Sequence, residues 1–290
     1  MSSTEQAAPR FAGLETWPTR DLAAALLETQ VAAAAAAAAQ GDALAQAIDA
    51  AADRLAGGGR LIYLGAGTSG RLAVLDAAEL TPTFDWPPDR ALALMAGGDA
   101  ALIHAVEGAE DDGPAAVAAL DRVALCPQDA VIGVAASGRT PYTRAGLVHA
   151  RRLGALTIGL LNAPEGPMRD ACDIALVADT GPEIIAGSTR MKAGTAQKVL
   201  LNSLSTGIMV RLGHVWRGRM VDMRPTNAKL RARAVAMVVD LTGCAPDRAQ
   251  AALDDAGSIK VALAMVLLGI DAETAQRRLA TAQGHLARVL

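Results

Sequence analysis

The chain has 290 residues, 52% hydrophobic but only 2% aromatic, with a formal net charge of −3. That length suits one large domain or a domain with a small companion, with a core built from Ala, Leu and Val rather than rings. Scattered basic residues and few aromatics argue against nucleic acid as a partner. The opening stretch MSSTEQAAPRFAGLETWPTR has no apolar segment behind a basic one, and the apolar run at residues 31–39 is too short to span a bilayer. The expectation is therefore a cytoplasmic protein with no membrane partner. Cys126, Cys172 and Cys244 lie far apart and are expected as free thiols.

Along the chain, residues 21–55 are rich in Ala and Leu and predict one or two helices, ended by Gly57-Gly58-Gly59. Five apolar runs follow: RLIYLGAG, ALALMAGG, AVIGVAASG, ALTIGLLN and DIALVAD. Helical stretches separate them, which predicts an α/β fold with a doubly wound, parallel, five-stranded sheet. MKAGTAQKVLLNSLSTGIMVRLG then reads as one long helix. Past Asn227 come short helices, with Ala245-Pro246-Asp247 and Asp271-Ala272-Glu273 as helix starts. The expected division is a helical segment at 1–56 packing on the core, an α/β domain at 57–226, and a small all-helical domain at 227–290.

Gly65, Gly67 and Gly70 in LGAGTSGRL spell G-x-G-x-x-G between a strand and a helix. A dinucleotide site would place an acidic residue about 20 positions on, at the tip of the next strand. Asp85 stands at that distance, but in the proline-rich TPTFDWPPDR with no apolar run before it. The loop also carries Thr68 and Ser69, which a dinucleotide turn does not need. A second loop, GVAASGRTPY, repeats Ser-Gly-Arg at Ser137, and a third, AGSTRMKAGT, sets Ser188 and Thr189 before the long helix. Hydroxyls and helix N-termini at the carboxyl ends of parallel strands suit a single phosphate monoester. The candidates are Gly67, Thr68, Ser69, Ser137, Gly138, Thr140, Ser188 and Thr189. Helix capping accounts for each hydroxyl taken alone, but not for the glycine beside each. Lys192 and Lys198 flank the third helix start, placed either to add charge for the phosphate or to serve only the surface. His104, His149, His214 and His285 have no metal-like spacing, and no metal is expected.

GRLIYLGAGTSGRL, AVEGAEDD, AASGRTPY, GSTRMKAGTAQK and LNSLSTGIM together resemble the N-acetylmuramic acid 6-phosphate etherase family, within the sugar-isomerase (phosphosugar-binding) superfamily. The resemblance runs from about residue 58 to 227, and the helical tail is similar to that family's C-terminal piece. It implies hydrolytic removal of D-lactate from N-acetylmuramate 6-phosphate, no metal or organic cofactor, and a homodimer. Where the family usually reads Glu-Cys-Pro-Pro-Thr, this chain has Glu79-Leu80-Thr81-Pro82-Thr83, and its N-terminal segment is shorter and richer in Ala.

Direct loss of an alkoxide from C3 of a sugar is difficult. Opening the ring lets the C1 aldehyde acidify the C2 proton, so that a base and an acid complete the elimination and water adds back at C3. The resemblance assigns these roles to Glu110, the base at C2, and Glu79, the acid at the departing lactate oxygen. Glu107, three residues before Glu110, is the rival for the base. Two other functions remain open at this level: an aldose–ketose phosphosugar isomerase, and a non-catalytic phosphosugar sensor, which would need no acid–base pair.

Overall fold

The computed structural model describes residues 3–290. Two helices precede the sheet, α1 (Thr19–Ala38) and α2 (Gly41–Ala56), so the Ala-rich stretch breaks in two at Ala39-Gln40. In α1 the buried positions Ala25, Thr29, Ala33 and Ala37 recur every fourth residue and form one stripe of small side chains. By length and composition α1 is apolar enough to cross a membrane, with a mean hydropathy of 1.2, but alanine supplies that value. Its ties are to the protein: Ala25 clusters with Phe11 and Ile184, Glu28 pairs with Arg10 at 2.6 Å, and Gln30 Oε1 accepts from the Thr195 hydroxyl at 2.5 Å.

The five apolar runs form five strands, interleaved with helices in the expected order. They are β1 (Leu61–Gly65), α3 (Gly67–Phe84), β2 (Ala91–Met95), α4 (Ala100–Ile103), α5 (Gly113–Arg122), β3 (Ala130–Val134), α6 (Pro141–Arg152), β4 (Leu156–Leu161), β5 (Ile174–Val177) and α7 (Lys192–Arg211). All neighbours pair parallel, in the order β2-β1-β3-β4-β5. Strands β1, β3 and β4 are buried throughout, as continuous aliphatic runs in a sheet covered on both faces must be. Alternate residues of β1 divide the core. Ile62 and Leu64 pack with Leu120 and Leu147 of α5 and α6. On the other face, buried Tyr63 donates its hydroxyl to Asp76 of α3 at 2.8 Å, and Asp76 also accepts from Asn202 at 2.6 Å and Ser205 at 3.1 Å, both on α7. Burial pushes the Asp76 carboxyl above its ordinary range, and the three donated bonds oppose that shift. At the opposite end, Arg60 clamps the start of β1 to buried Asp129 at 2.6 Å; burial would raise this carboxyl, but the bonds from Arg60 and from the Cys126 amide bring it below its usual value.

The sheet and its helices, through Ala78 and over Pro88–Ser205, make one compact unit, and Glu79–Pro87 with Thr206–Leu290 make a second. The second unit holds a hairpin, β6 (Val215–Trp216) and β7 (Arg219–Met220), and four helices: α8 (Ala228–Thr242), α9 (Pro246–Ala256), α10 (Ile259–Leu268) and α11 (Ala272–Thr281). Its core is aliphatic, centred on Val238, Ile259, Ala262 and Leu263. Beside that core the half-buried Asp222 receives Lys260, with His214 Nδ1 2.7 Å from Asp222 Oδ2. The rings of Phe84 and Trp86 meet His214 edge-on at 6.4 and 5.7 Å.

Candidate functional site

A cavity of about 550 Å³ opens beyond the carboxyl ends of β1 and β3. This is where the order β2-β1-β3-β4-β5 reverses direction, the place where open parallel sheets bind ligands. Its floor is the first loop, with Gly67, Thr68 and Ser69 all lining it. The three glycines of that loop do different jobs. A Cβ on Gly65 would stand 2.8 Å from Gly70 Cα, and one on Gly70 would stand 2.8 Å from Gly65 O, so strand and helix touch backbone to backbone. Gly67 takes the left-handed conformation (φ +53°) that starts α3. The first turn of α3 thereby points its amides into the cavity with the positive end of the helix dipole.

The second loop contributes Ser137, Arg139 and Thr140. Pro141 starts α6 and Thr140 makes no side-chain cap bond, which leaves its hydroxyl free; the Ser137 hydroxyl accepts from the Arg139 amide at 3.2 Å and keeps its own proton to donate. Gly138 (φ +64°) turns the chain behind the lining, against Gly166.

The third loop behaves differently from the other two. Gly187 and Thr189 line the cavity, but Ser188 does not. The N-terminus of α7 is closed from within: fully buried Glu183 accepts from the amides of Lys192 and Ala193, each at 2.9 Å. Lys192 is buried and donates Nζ to the Thr180 carbonyl at 2.7 Å, and it is absent from the lining. Desolvation lowers its pKa, against the pull of Glu183 and Asp179. The expectation of three converging helix starts thus becomes two open helix starts and one hydroxyl, because an internal carboxylate already occupies the third set of amides.

Of the acidic run AVEGAEDD, Asp112 is spent on capping α5 through the Ala115 amide at 2.9 Å, while Glu110 and Asp111 line the cavity. Glu110 lies in a short 3-10 turn, Ala109–Asp111, that follows Gly108 at φ +73°. That turn breaks the helical relation between Glu107 and Glu110, and Glu107 stands outside the lining. Glu79 is exposed on α3, one turn after Asp76, and belongs to the second compact unit. Leu80, in place of the family's Cys, is buried at 2% exposure. Two lining residues stand outside the candidates drawn from the sequence: Arg139, the cation of the cavity wall, which ends the repeated Ser-Gly-Arg, and Glu5, from the N-terminal segment, which had no local signal.

A sheet in this order, with hydroxyl-bearing helix starts meeting at its switch point, is a doubly wound α/β architecture suited to an anionic ligand, and sequence similarity places it in the SIS class. The sequence matches the SIS domain family over residues 111–206 and the glucokinase regulatory protein N-terminal SIS domain family over residues 43–151. A phosphoheptose isomerase from Francisella tularensis shares the fold with a TM-score of 0.55 at 22% identity, covering 67% of this chain and 100% of that one. At the level of the particular family, the chain is 52% identical to an N-acetylmuramic acid 6-phosphate etherase of Deinococcus radiodurans, over 99% of this chain and 94% of that protein. It is 48% identical to the one from Rubrobacter xylanophilus, over 96% and 92% respectively. The chain belongs to the N-acetylmuramic acid 6-phosphate etherase family.

Proposed function

We propose that this protein cleaves the D-lactyl ether of N-acetylmuramic acid 6-phosphate with water, releasing D-lactate and N-acetylglucosamine 6-phosphate in cell-wall amino-sugar recycling. The observation that carries this reading is the cavity at the switch point, where two uncapped helix starts and free hydroxyls stand together with a carboxylate, Glu110. The helix starts and the hydroxyls of Thr68, Ser69, Ser137, Thr140 and Thr189 hold the phosphate, and Arg139 balances part of its charge. Glu110 takes the C2 proton of the ring-opened sugar. Expulsion of lactate then needs an acid, which we assign to Glu79; water adds to the resulting alkene at C3 and the C2 proton returns. A pure sensor has no use for this proton traffic, and an isomerase would leave the ether intact.

We further propose that the protein works as a homodimer in the cytoplasm. Supporting the pairing, Leu27 and Val31 on α1 are 70% and 72% exposed, and Ile103 beyond the edge strand β2 is 82% exposed. Apolar side chains of this size, gathered on a helix face and at a sheet edge, suit a second copy of the chain. The free thiols Cys126, Cys172 and Cys244 fit a reducing compartment, and burial pushes the Cys172 thiol up to about 11.

Incubation of the purified protein with N-acetylmuramate 6-phosphate and assay of D-lactate tests the reaction. Lactate from the phosphorylated sugar but not from unphosphorylated N-acetylmuramate is the expected result. Equal rates from the two would remove the phosphate site from the account. Light scattering at assay concentration should give twice 29.6 kDa, and a fully active particle of 29.6 kDa would exclude the dimer.

A further inference from the structure

One wall of the cavity comes from the far N-terminal segment. The Gly187 amide donates to the Thr4 carbonyl at 3.2 Å, and the Ser3 amide donates to Glu165 Oε1 at 2.7 Å. Thr4 is fully buried. These bonds hold the adjacent Glu5 at the cavity, facing the third loop: a Cβ at position 187 would stand 2.8 Å from Glu5 Oε2. Glycine at 187 is called for by its φ of +75°, and it leaves room beside it for the carboxylate end of Glu5.

A carboxylate standing in for the phosphate would accept hydrogen bonds from the loop donors. Among the described residues Glu5 accepts none, although Thr68, Ser69 and Thr140 offer hydroxyls in the same cavity. Nor can Glu5 sit beside the phosphate itself, because like charges in a semi-enclosed site repel. What it suits is a ligand that turns donors toward it, and an amino sugar carries such donors in its ring hydroxyls and its acetamido N–H.

We propose that Glu5 is a substrate-binding residue that accepts a hydrogen bond from a hydroxyl or amide N–H of the sugar, and that its charge keeps the phosphate on the side of Ser69 and Ser137. This rests on the reading that the ligand is a phosphorylated amino sugar. The N-terminal segment is then part of the specificity machinery: the first two loops hold the phosphate, with Thr189 reaching it from the third, and Glu5 recognises what is attached to it.

The test compares two ligands on the full chain carrying Glu5→Ala or Glu5→Gln. Inhibition constants of N-acetylglucosamine 6-phosphate and of inorganic phosphate are measured against lactate release, and the same two ligands are titrated calorimetrically. Loss of a hydrogen bond to a charged acceptor should raise KM and the sugar-phosphate constant roughly 10- to 100-fold in Glu5→Ala. kcat should change little, and inorganic phosphate should bind as well as before or better. Glu5→Gln, which keeps an acceptor oxygen, should recover part of the sugar affinity. Equal weakening of both ligands would reduce Glu5 to a support for the third loop, and unchanged constants, or a fall in kcat alone, would overturn the proposal. If Glu5→Ala melts at a lower temperature, Glu5→Gln decides. Should the wild type release no lactate, the etherase reading fails, while the calorimetric pair still decides the role of Glu5.

Discussion

The helix starts that line the cavity and three of those in the helical unit are treated in opposite ways. In the helical unit, Asn227, Ser258 and Asp271 each turn a side chain onto the amide three residues on, closing α8, α10 and α11 at 2.9, 3.3 and 2.7 Å. Gly243, Gly257 and Gly269 end α8, α9 and α10 in the left-handed conformation. Those helices are finished objects. In the sheet unit, Thr140 heads α6 without capping it, and Thr68 and Ser69 lie inside the first turn of α3 rather than ahead of it. The same residue types close amides at α8, α10 and α11 and leave them open at the two helix starts of the cavity, while Asp112 and Glu183 close α5 and α7 elsewhere in the sheet unit. Open donors cost stability until a ligand satisfies them, so the positions where a protein forgoes a cap are informative about where it binds.

The largest effect expected concerns the carboxylates. Glu110→Gln should lower kcat by at least ~10²–10⁴-fold and abolish exchange of the C2 hydrogen with deuterated water. Glu79→Gln should lose lactate release comparably yet retain C2 exchange, because proton abstraction does not need the acid. The opposite pattern would reverse the two roles, and a dead Glu107→Gln would point to the wrong base.

Next come the paired hydroxyls that define the contrast. Ser69→Ala and Ser137→Ala should each reduce kcat/KM by about 1.5–3 kcal/mol with little change in Tm, since each deletes a donor to a charged ligand. Ser258→Ala should do the reverse, costing about 1 kcal/mol of stability by chemical denaturation while leaving kcat/KM untouched. If all three behaved alike, the distinction between open and closed helix starts would collapse.

A third substitution interrogates the exception. Glu183→Ala removes the carboxylate that closes α7 and leaves two buried amides unsatisfied, for a loss of about 1–3 kcal/mol in stability. Added phosphate should restore part of the lost Tm by binding the freed amides; a variant indifferent to phosphate would show that this helix start is inaccessible to anions.

The smallest effect is a pH dependence. Burial, followed by the nearby cations Arg288 and Lys260, holds the His285 imidazole below its ordinary 6.5. A histidine with a depressed folded-state pKa binds fewer protons folded than unfolded, so its neutral form favours the fold above 6.5 and that advantage is lost as pH falls. Melting curves between pH 7.5 and about 5.5 should decline more steeply for the wild type than for His285→Gln.

Much of this architecture is legible in the residues. The five strands follow from aliphatic runs bounded by glycine, and the helical unit from Asp271 and Ala245-Pro246, because both signals are local. The first two loops are legible for the same reason. What the sequence conceals is long-range. Glu183 lies nine positions before Lys192 with nothing to mark it as the partner of the α7 amides, and Glu5 reaches the third loop from the other end of the chain. The hairpin of β6 and β7 is too short to show a period, although Arg217-Gly218, both at positive φ, is a two-residue turn that its Gly could have betrayed. The exposure of Glu79 was hidden by its apolar neighbours Ala77 and Ala78, of which only Ala77 is buried.

The contact of Phe84 and Trp86 with His214 has a bearing on how this chain can be cut and recombined. The helical unit is assembled from two stretches of sequence, Glu79–Pro87 and Thr206–Leu290, with the whole of Pro88–Ser205 strung between them. Two of its rings and Asp85, the ionic partner of Arg224, thus arrive from the early part of the chain. A gene fragment beginning at Thr206 would encode all four helices α8 to α11 and still lack the rings of Phe84 and Trp86 that meet His214. A single crossover near Thr206 therefore cannot transfer the helical unit whole: it would separate Phe84, Asp85 and Trp86 from the partners they meet in it.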